Sequence, residues 1–153
     1  MFKITILAVG KIKNQAIAQS IDKYLKRLKP LAKVEMVELP AVSFSANNQN
    51  KAMAEEAQKI LKYLDKHQDA QPILLDEAGK TMTSATLADF LENNSPLILI
   101  IGGSLGLATE LKATIKDKIA LSKLTLPHEL ARLILTEQIY RAVTIIKKMD
   151  YHH

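Results

Sequence analysis

The segment from Leu97 to Ile101 is an unbroken run of five apolar residues, and Gly-Gly-Ser-Leu-Gly follows it at residues 102–106. A strand without polar positions has to be buried on both faces, which is typical of parallel sheets that helices cover on both sides. Glycines after such a strand allow the chain to turn sharply and let backbone groups approach a neighbour closely. This segment therefore constrains the chain to an α/β domain.

Strand patterns alternate with helix patterns along the whole sequence. Apolar or alternating runs predict strands at residues 2–9, 34–39, 72–75 and 97–101, and helical spacing predicts helices at residues 14–28, 51–66, 84–91, 109–116 and 128–148. Asn14 and either Thr83 or Ser84 are predicted helix caps, and Pro127 is expected at the start of the last helix. Residues 76–80 are predicted to form a turn. The pattern predicts one domain over residues 1–153 with a largely parallel sheet.

Composition excludes several classes of protein. The chain has no cysteine, so it has neither a disulfide framework nor a thiolate zinc site. No apolar run reaches the roughly 18 residues of a membrane helix, and a cytoplasmic location is predicted. The four histidines lack the spacing of a metal motif, so no metal is expected.

Charge is distributed unevenly. Residues 1–33 hold eight Lys or Arg and one acid, whereas the chain as a whole has 21 basic and 16 acidic residues. A basic N-terminal third can contact a polyanion such as RNA, or it can be a solvated, lysine-rich helix face.

Two segments are candidates for chemistry because ligands of α/β proteins bind at the carboxyl ends of strands. The turn Gly102–Gly106 matches neither a dinucleotide motif nor a phosphate loop, and it can be either a ligand-binding turn or a simple strand-to-helix turn. Asp76 and Glu77 could act as general base and acid. Adjacent residues of a strand point to opposite faces, however, which favours a turn at this position.

Five blocks of sequence occur in an order that resembles one known family. They are LAVGKIK at 7–13, LDEAGK at 75–80, ILIIGGSLGL at 98–107, LSKLTLPHELARLILTEQIYRA at 121–142 and the terminal YHH. The chain is similar over its whole length to the RlmH-type methyltransferases of the SPOUT class. These enzymes methylate N3 of a pseudouridine in the helix 69 loop of 23S rRNA in the assembled ribosome. The resemblance implies a C-terminal trefoil knot, S-adenosylmethionine as cofactor and a homodimer.

The resemblance also implies roles for particular residues. The cofactor pocket would be formed by Leu75, Gly102, Gly103, Gly106, Leu121, Ser122, Lys123, Leu124, Thr125 and Leu126. Contacts to the rRNA substrate would come from His128, Arg132, Tyr140, Lys23 and Arg27. The catalytic candidates are His152, Tyr151 and Arg141, with the tail placed near the pocket of the partner subunit.

Physical arguments bear on these implied roles. Leucines supply the apolar walls that an adenine ring needs, and backbone groups can read its edge. The acceptor N3–H of the pseudouridine is an imide that has to lose its proton, so a base or a polarising cation assists the reaction. Arg132 and Arg141 are nine residues apart on one helix, which puts them on opposite sides and predicts different contacts.

Three other functions remain open from the sequence. The chain could be a SPOUT methyltransferase that acts on another RNA such as tRNA. It could be a ribosome-binding protein without catalytic activity. It could also be a nucleotide-binding enzyme of unknotted topology, although the phosphate-binding motifs are missing.

Overall fold

A computed structural model describes residues 2–153 of the chain. Its five strands form one parallel sheet in the order β2-β1-β4-β3-β5. The strands are β1 (Lys3–Val9), β2 (Lys33–Leu39), β3 (Gln71–Thr81), β4 (Leu97–Ile101) and β5 (Lys118–Ala120). The helices are α1 (Gln15–Leu28), α2 (Gln49–Asp65), α3 (Ser84–Asn94), α4 (Thr109–Thr114) and α5 (His128–Ile146). The predicted α/β architecture with a parallel sheet is confirmed.

The central strand β4 divides its side chains between two hydrophobic layers. Leu97, Leu99 and Ile101 pack into the cluster that contains residues of α1, α3 and α5. Ile98 and Ile100 pack into the cluster that contains residues of α2 and α4. Because successive side chains of a strand point to opposite faces, a run with no polar position requires helices on both sides, as the sequence predicted.

The predicted helix caps are confirmed for α1 and α3. Asn14 accepts a hydrogen bond on its side chain from Ile17 N at 3.1 Å, and Thr83 accepts one on Oγ1 from Thr86 N at 3.1 Å. Pro127 occupies the N-cap position of α5, so its missing N–H leaves no hydrogen bond unmade.

The predicted turn at residues 76–80 is part of a longer strand. β3 continues to Thr81, and its pairing with β5 shifts so that both Leu75 and Lys80 lie opposite Ile119. The residues between them form a bulge. A Cβ on Gly79 would lie 2.7 Å from the backbone of β5, so only glycine allows this close approach. Strand β5 covers only the first part of the apolar stretch 119–126, and the rest is a loop.

Arg132 does not have the position that an RNA contact requires. Its side chain is 0% exposed, and its Nη1 donates to Glu38 Oε2 at 2.6 Å. Its Nη2 donates to the carbonyl oxygens of Gly10 at 3.0 Å and Val9 at 3.3 Å. Burial lowers the pKa of the guanidinium, and the Glu38 carboxylate opposes that shift. The predicted RNA contact is therefore corrected to a structural one, because a group without accessible surface cannot contact RNA.

The described part of the chain, residues 2–153, contains no helix with the length and apolar character needed to cross a membrane. The trefoil knot stays a prediction, since strand order and pairing do not define how the chain threads.

We expect Arg132→Met to lower the free energy of unfolding by about 3–5 kcal/mol, because it leaves Glu38 and two backbone carbonyls without their buried cation. Urea unfolding at neutral pH measures the change. The matched control is Lys26→Met, which removes an exposed ion pair with Asp22 at 2.8 Å. The control should change stability by less than about 1 kcal/mol. Equal effects of the two substitutions would contradict the structural role of Arg132.

Candidate active site

A pocket of about 610 Å³ opens at the carboxyl ends of β3, β4 and β5. Its size is within the range of pockets that hold small ligands, and its position is where parallel α/β sheets bind them. Three segments surround it: the bulge of β3, the glycine turn after β4 and the loop between β5 and α5. The lining consists of Leu75, Asp76, Glu77, Ile101, Gly102, Gly103, Ser104, Leu105, Gly106, Leu107, Lys112, Leu121, Ser122, Leu124, Thr125, Leu126, Pro127, His128 and Ala131.

Every residue predicted to bind the cofactor lines this pocket except Lys123. Leu75, Gly102 and Leu121 are far apart in sequence, and the parallel strands bring them to one edge of the sheet. The side chain of Leu124 is 75% exposed, although leucine is normally buried. In the same loop, Leu124 N donates to Ser122 Oγ at 2.9 Å, and both residues line the pocket.

The glycine turn depends on two close backbone approaches. Gly106 N donates to Gly103 O at 3.0 Å, and Gly106 has a φ of +80° that favours glycine. A Cβ on Gly102 would lie 2.8 Å from Gly106 C. The segment is therefore a tight strand-to-helix turn that also lines the pocket, and its binding of a ligand stays a prediction.

Asp76 and Glu77 both line the pocket, contrary to the expectation that adjacent strand residues face opposite sides. The bulge in β3 breaks the regular alternation at this point, which explains the difference. Asp76 lies 3.4 Å from Lys112 Nζ and accepts a hydrogen bond from Ala78 N at 3.1 Å. Glu77 Oε2 accepts from Thr125 Oγ1 at 2.8 Å, which joins the bulge to the loop before α5.

His128 is the one predicted substrate-binding residue that lines the pocket. Its Nδ1 is buried and has no hydrogen-bond partner within residues 2–153. A buried polar atom without a partner is costly, so this nitrogen can be satisfied by a ligand or a water molecule. Within the same residues, no group of three or more His, Cys, Asp or Glu is arranged to hold a metal ion.

The three predicted catalytic residues lie together, but not in this pocket. Arg141 Nη1 lies 3.2 Å from His152 Nδ1, and the Arg141 guanidinium is 4.8 Å from the centre of the Tyr151 ring. Tyr151 packs edge-on against Tyr140, with ring centres 4.8 Å apart. This group, which we call the tail cluster, consists of Glu137, Tyr140, Arg141, Tyr151 and His152.

Glu137 holds the tail cluster together, and the sequence analysis did not identify it. Its Oε1 accepts from Arg141 Nε at 3.0 Å, from Arg141 Nη2 at 2.6 Å and from Tyr151 Oη at 3.1 Å. These bonds raise the pKa of the Arg141 guanidinium. The sequence signal that could have identified Glu137 is its spacing of four residues from Arg141, which places the two side chains on the same helix face.

The tail cluster is separated from the pocket of its own chain. Ala131 lines the pocket, and Arg141 lies ten residues further along α5, which corresponds to about 15 Å. The basic side chain of Arg27 is next to the cluster, 5.8 Å from the centre of the Tyr140 ring. Lys23 is exposed on the same helix α1. As predicted from the nine-residue spacing, Arg132 and Arg141 make different contacts.

Burial raises the pKa of the Tyr151 phenol, and the neighbouring Tyr24 hydroxyl and Glu137 carboxylate raise it further. We expect Glu137→Gln to lower this pKa, because a neutral amide disfavours the phenolate less than a carboxylate does. NMR of ¹³C-labelled tyrosine during an alkaline titration measures the change.

Tyr63 is the internal control for this titration. Its pKa is raised by burial and by Glu35, which is unrelated to Glu137. The pKa measured for Tyr63 should therefore be the same in the parent chain and in Glu137→Gln. An unchanged Tyr151 titration in the variant would show that Glu137 does not control the tail.

Comparison with known proteins assigns the chain to a family. Residues 2–152 match the family described as "Predicted SPOUT methyltransferase". The chain is 41% identical to ribosomal RNA large subunit methyltransferase H of Ruminiclostridium cellulolyticum, over 98% of this chain and 99% of the relative. It is 42% identical to the protein of the same name in Desulforamulus reducens, over 99% of each chain.

A solved structure shows the same fold. The SpoU methyltransferase AviRb from Streptomyces viridochromogenes, in complex with AdoMet, aligns with a TM-score of 0.54 and 13% identity. The alignment covers 96% of this chain and 59% of AviRb. The sequence blocks, the parallel sheet and the full-length matches agree, and the chain belongs to the SPOUT methyltransferase family, among relatives named ribosomal RNA large subunit methyltransferase H.

Proposed function

We propose that the protein is an S-adenosylmethionine-dependent methyltransferase that methylates N3 of a pseudouridine in 23S rRNA. The observation that carries this proposal is the convergence of the β3 bulge, the glycine turn and the loop 121–126 on one pocket. In a member of this family, these are the segments that the sequence resemblance assigns to the cofactor. Substrates of the relatives, as their names state, are large-subunit ribosomal RNAs.

The residues of the pocket fit the proposed cofactor. Leu75, Leu121 and Leu126 offer apolar surface for an adenine ring, and the glycine turn offers backbone groups for its polar edge. Gly102 and Gly106 line the pocket, and the close approach of Gly102 to the backbone of Gly106 leaves no room for a side chain at Gly102. His128 Nδ1 adds a buried polar atom that a ligand can satisfy. S-adenosylmethionine would supply a methyl group already activated by its sulfonium.

Positioning is the main contribution of the protein, because the methyl donor is already activated. The pocket walls would orient the donor, and α5 would set the direction from which RNA approaches. The remaining task is removal of the imide proton from N3. His152 is the candidate for this step. Tyr151, whose raised pKa keeps its phenol protonated, would help to hold Arg141 in place, and Arg141 would stabilise negative charge on the deprotonated base.

A homodimer would bring the two groups together. In one chain, Arg141 of the tail cluster lies about 15 Å along α5 from the pocket residue Ala131. A second copy packed against the pocket could supply its tail cluster to the first copy. In this arrangement Glu137 would have a functional role. Its carboxylate holds the Arg141 side chain and anchors Tyr151, which follows α5 in the chain, to the helix. We place the enzyme in the cytoplasm, where ribosomes are available.

Basic residues of α1 extend from the tail cluster and are proposed to contact rRNA phosphates. Lys23 and Arg27 are exposed, and Arg27 lies beside Tyr140. Phosphate contacts contribute affinity that decreases as salt concentration rises. RNA binding through this helix should therefore weaken with added salt.

The decisive experiment is transfer of a radiolabelled methyl group to RNA from a strain that lacks the gene. We expect incorporation into 23S rRNA of assembled ribosomes, at a pseudouridine, with mass spectrometry locating the methyl group on N3. Labelling of tRNA instead would favour another SPOUT activity. Absence of S-adenosylmethionine binding in calorimetry would favour a ribosome-binding protein without catalysis.

We expect Gly102→Ala to weaken S-adenosylmethionine binding at least about tenfold, because its Cβ would lie 2.8 Å from the backbone of Gly106 and open the turn. Calorimetry measures the affinity. Gly103→Ala adds a methyl group to the same turn and should weaken binding less, since its Cβ would meet the Val9 side chain at 3.3 Å, and a side chain can shift. If both variants bind like the parent chain, the glycine turn does not form the cofactor site.

A further inference from the structure

The side chains that line the pocket include two carboxylates and one lysine ammonium group, so the negative charges outnumber the positive one. Asp76, Glu77 and Lys112 are the Asp, Glu, Lys and Arg side chains among the described lining residues. Asp76 is paired with Lys112 at 3.4 Å, and the Asp76 side chain is only 7% exposed. These two charges compensate each other. The carboxylate of Glu77 is left as the uncompensated charge of the pocket.

Glu77 is held in place by a neutral partner. Thr125 Oγ1 donates to Glu77 Oε2 at 2.8 Å, which fixes the carboxylate without neutralising it. Within residues 2–153, Oε1 has no hydrogen-bond partner and Glu77 forms no ion pair. The carboxylate therefore lines the pocket with one oxygen held by Thr125 and without a counter-ion among the described residues.

The two ligands of a methyltransferase differ by one charge. S-adenosylmethionine has a cationic sulfonium, while the product S-adenosylhomocysteine has a neutral thioether in the same position. Apart from the transferred methyl group the two molecules are alike, so apolar walls and backbone hydrogen bonds bind them almost equally. Only a charged group in the pocket distinguishes them strongly, since Coulomb energy depends on the charge that methyl transfer removes.

We propose that Glu77 is a specificity-determining residue that makes the pocket prefer the cationic methyl donor to the neutral product. The inference rests on the proposed function, because it requires S-adenosylmethionine in this pocket. A negatively charged pocket binds the cationic S-adenosylmethionine more tightly than the neutral S-adenosylhomocysteine. Glu77 thereby favours exchange of product for a new donor.

The size of the effect follows from the exposure of Glu77. The residue is exposed, so water and salt screen its charge before a ligand covers it. A Coulomb term of about 1 kcal/mol at a few ångströms corresponds to a change of about three- to tenfold in affinity. Added salt should reduce the preference.

Calorimetry of Glu77→Gln with each ligand tests the proposal. The glutamine amide oxygen can still accept from Thr125, so the variant removes the charge and keeps the connection between bulge and loop. We expect S-adenosylmethionine to bind about three- to tenfold more weakly, with S-adenosylhomocysteine changed by less than about twofold. The ratio of the two dissociation constants is the decisive quantity. Equal losses for both ligands, or no loss for either, would overturn the proposal.

Two further variants separate charge from structure. Thr125→Val removes the hydrogen bond that holds the carboxylate and keeps its charge, so we expect the ratio of the two dissociation constants to change less than in Glu77→Gln. Glu92→Gln removes the same charge from an exposed position on α3, and the ratio should equal that of the parent chain. A ratio altered as much by Glu92→Gln as by Glu77→Gln would mean that net charge alone is responsible, which would overturn a specific role for Glu77.

The failure of this inference differs from the failure of the proposed function. If the parent chain binds neither ligand, the proposed function is wrong. If the parent chain binds both ligands and Glu77→Gln leaves the ratio unchanged, only the role of Glu77 is wrong.

Discussion

The buried guanidinium of Arg132 is the interaction on which the arrangement of the pocket depends. Removing a charge from water is costly, and this one is compensated by Glu38 at the end of β2 and by the carbonyls of Val9 and Gly10 after β1. The compensation fixes the first half of α5 against the carboxyl edge of the sheet. Glu129, on the preceding turn, accepts from Lys13 N and Asn14 N, and the Asn14 hydrogen bond lowers its carboxyl pKa. Pro127 and His128, which begin α5 and line the pocket, are thereby held in position.

Close backbone contacts shape the opposite side of the pocket. Gly79 lets the end of β3 approach β5 after the bulge, and Gly102 lets the glycine turn fold back on Gly106. Each position excludes a Cβ because backbone atoms, which cannot move aside, lie within 3 Å. The bulge brings Asp76 and Glu77 to the same side, which a regular strand would not do. A binding site of few polar side chains therefore has a defined shape.

Helix α5 connects two regions with different tasks. Its first turns border the pocket, and its later turns carry Glu137, Tyr140 and Arg141 of the tail cluster. The Glu137 carboxylate accepts hydrogen bonds from both Arg141 and Tyr151. Arg141 lies about 15 Å along the helix from the pocket residue Ala131. The proposed homodimer, which the family resemblance implies, would bridge this separation. A rigid helix is suited to the arrangement, since it fixes the distance between cofactor and tail.

The sequence by itself determined the α/β class, the helix caps at Asn14 and Thr83, and the segments around the pocket. These features depend on local periodicity, on capping side chains and on motifs that stay contiguous in the chain. Tertiary structure alone decided that Arg132 is buried and that Asp76 and Glu77 face one pocket. A charged residue on a helix has the same local pattern whether it faces solvent or the ends of two strands. Burial and pairing are set by residues about a hundred positions away, such as Glu38 for Arg132, and no local pattern contains that information.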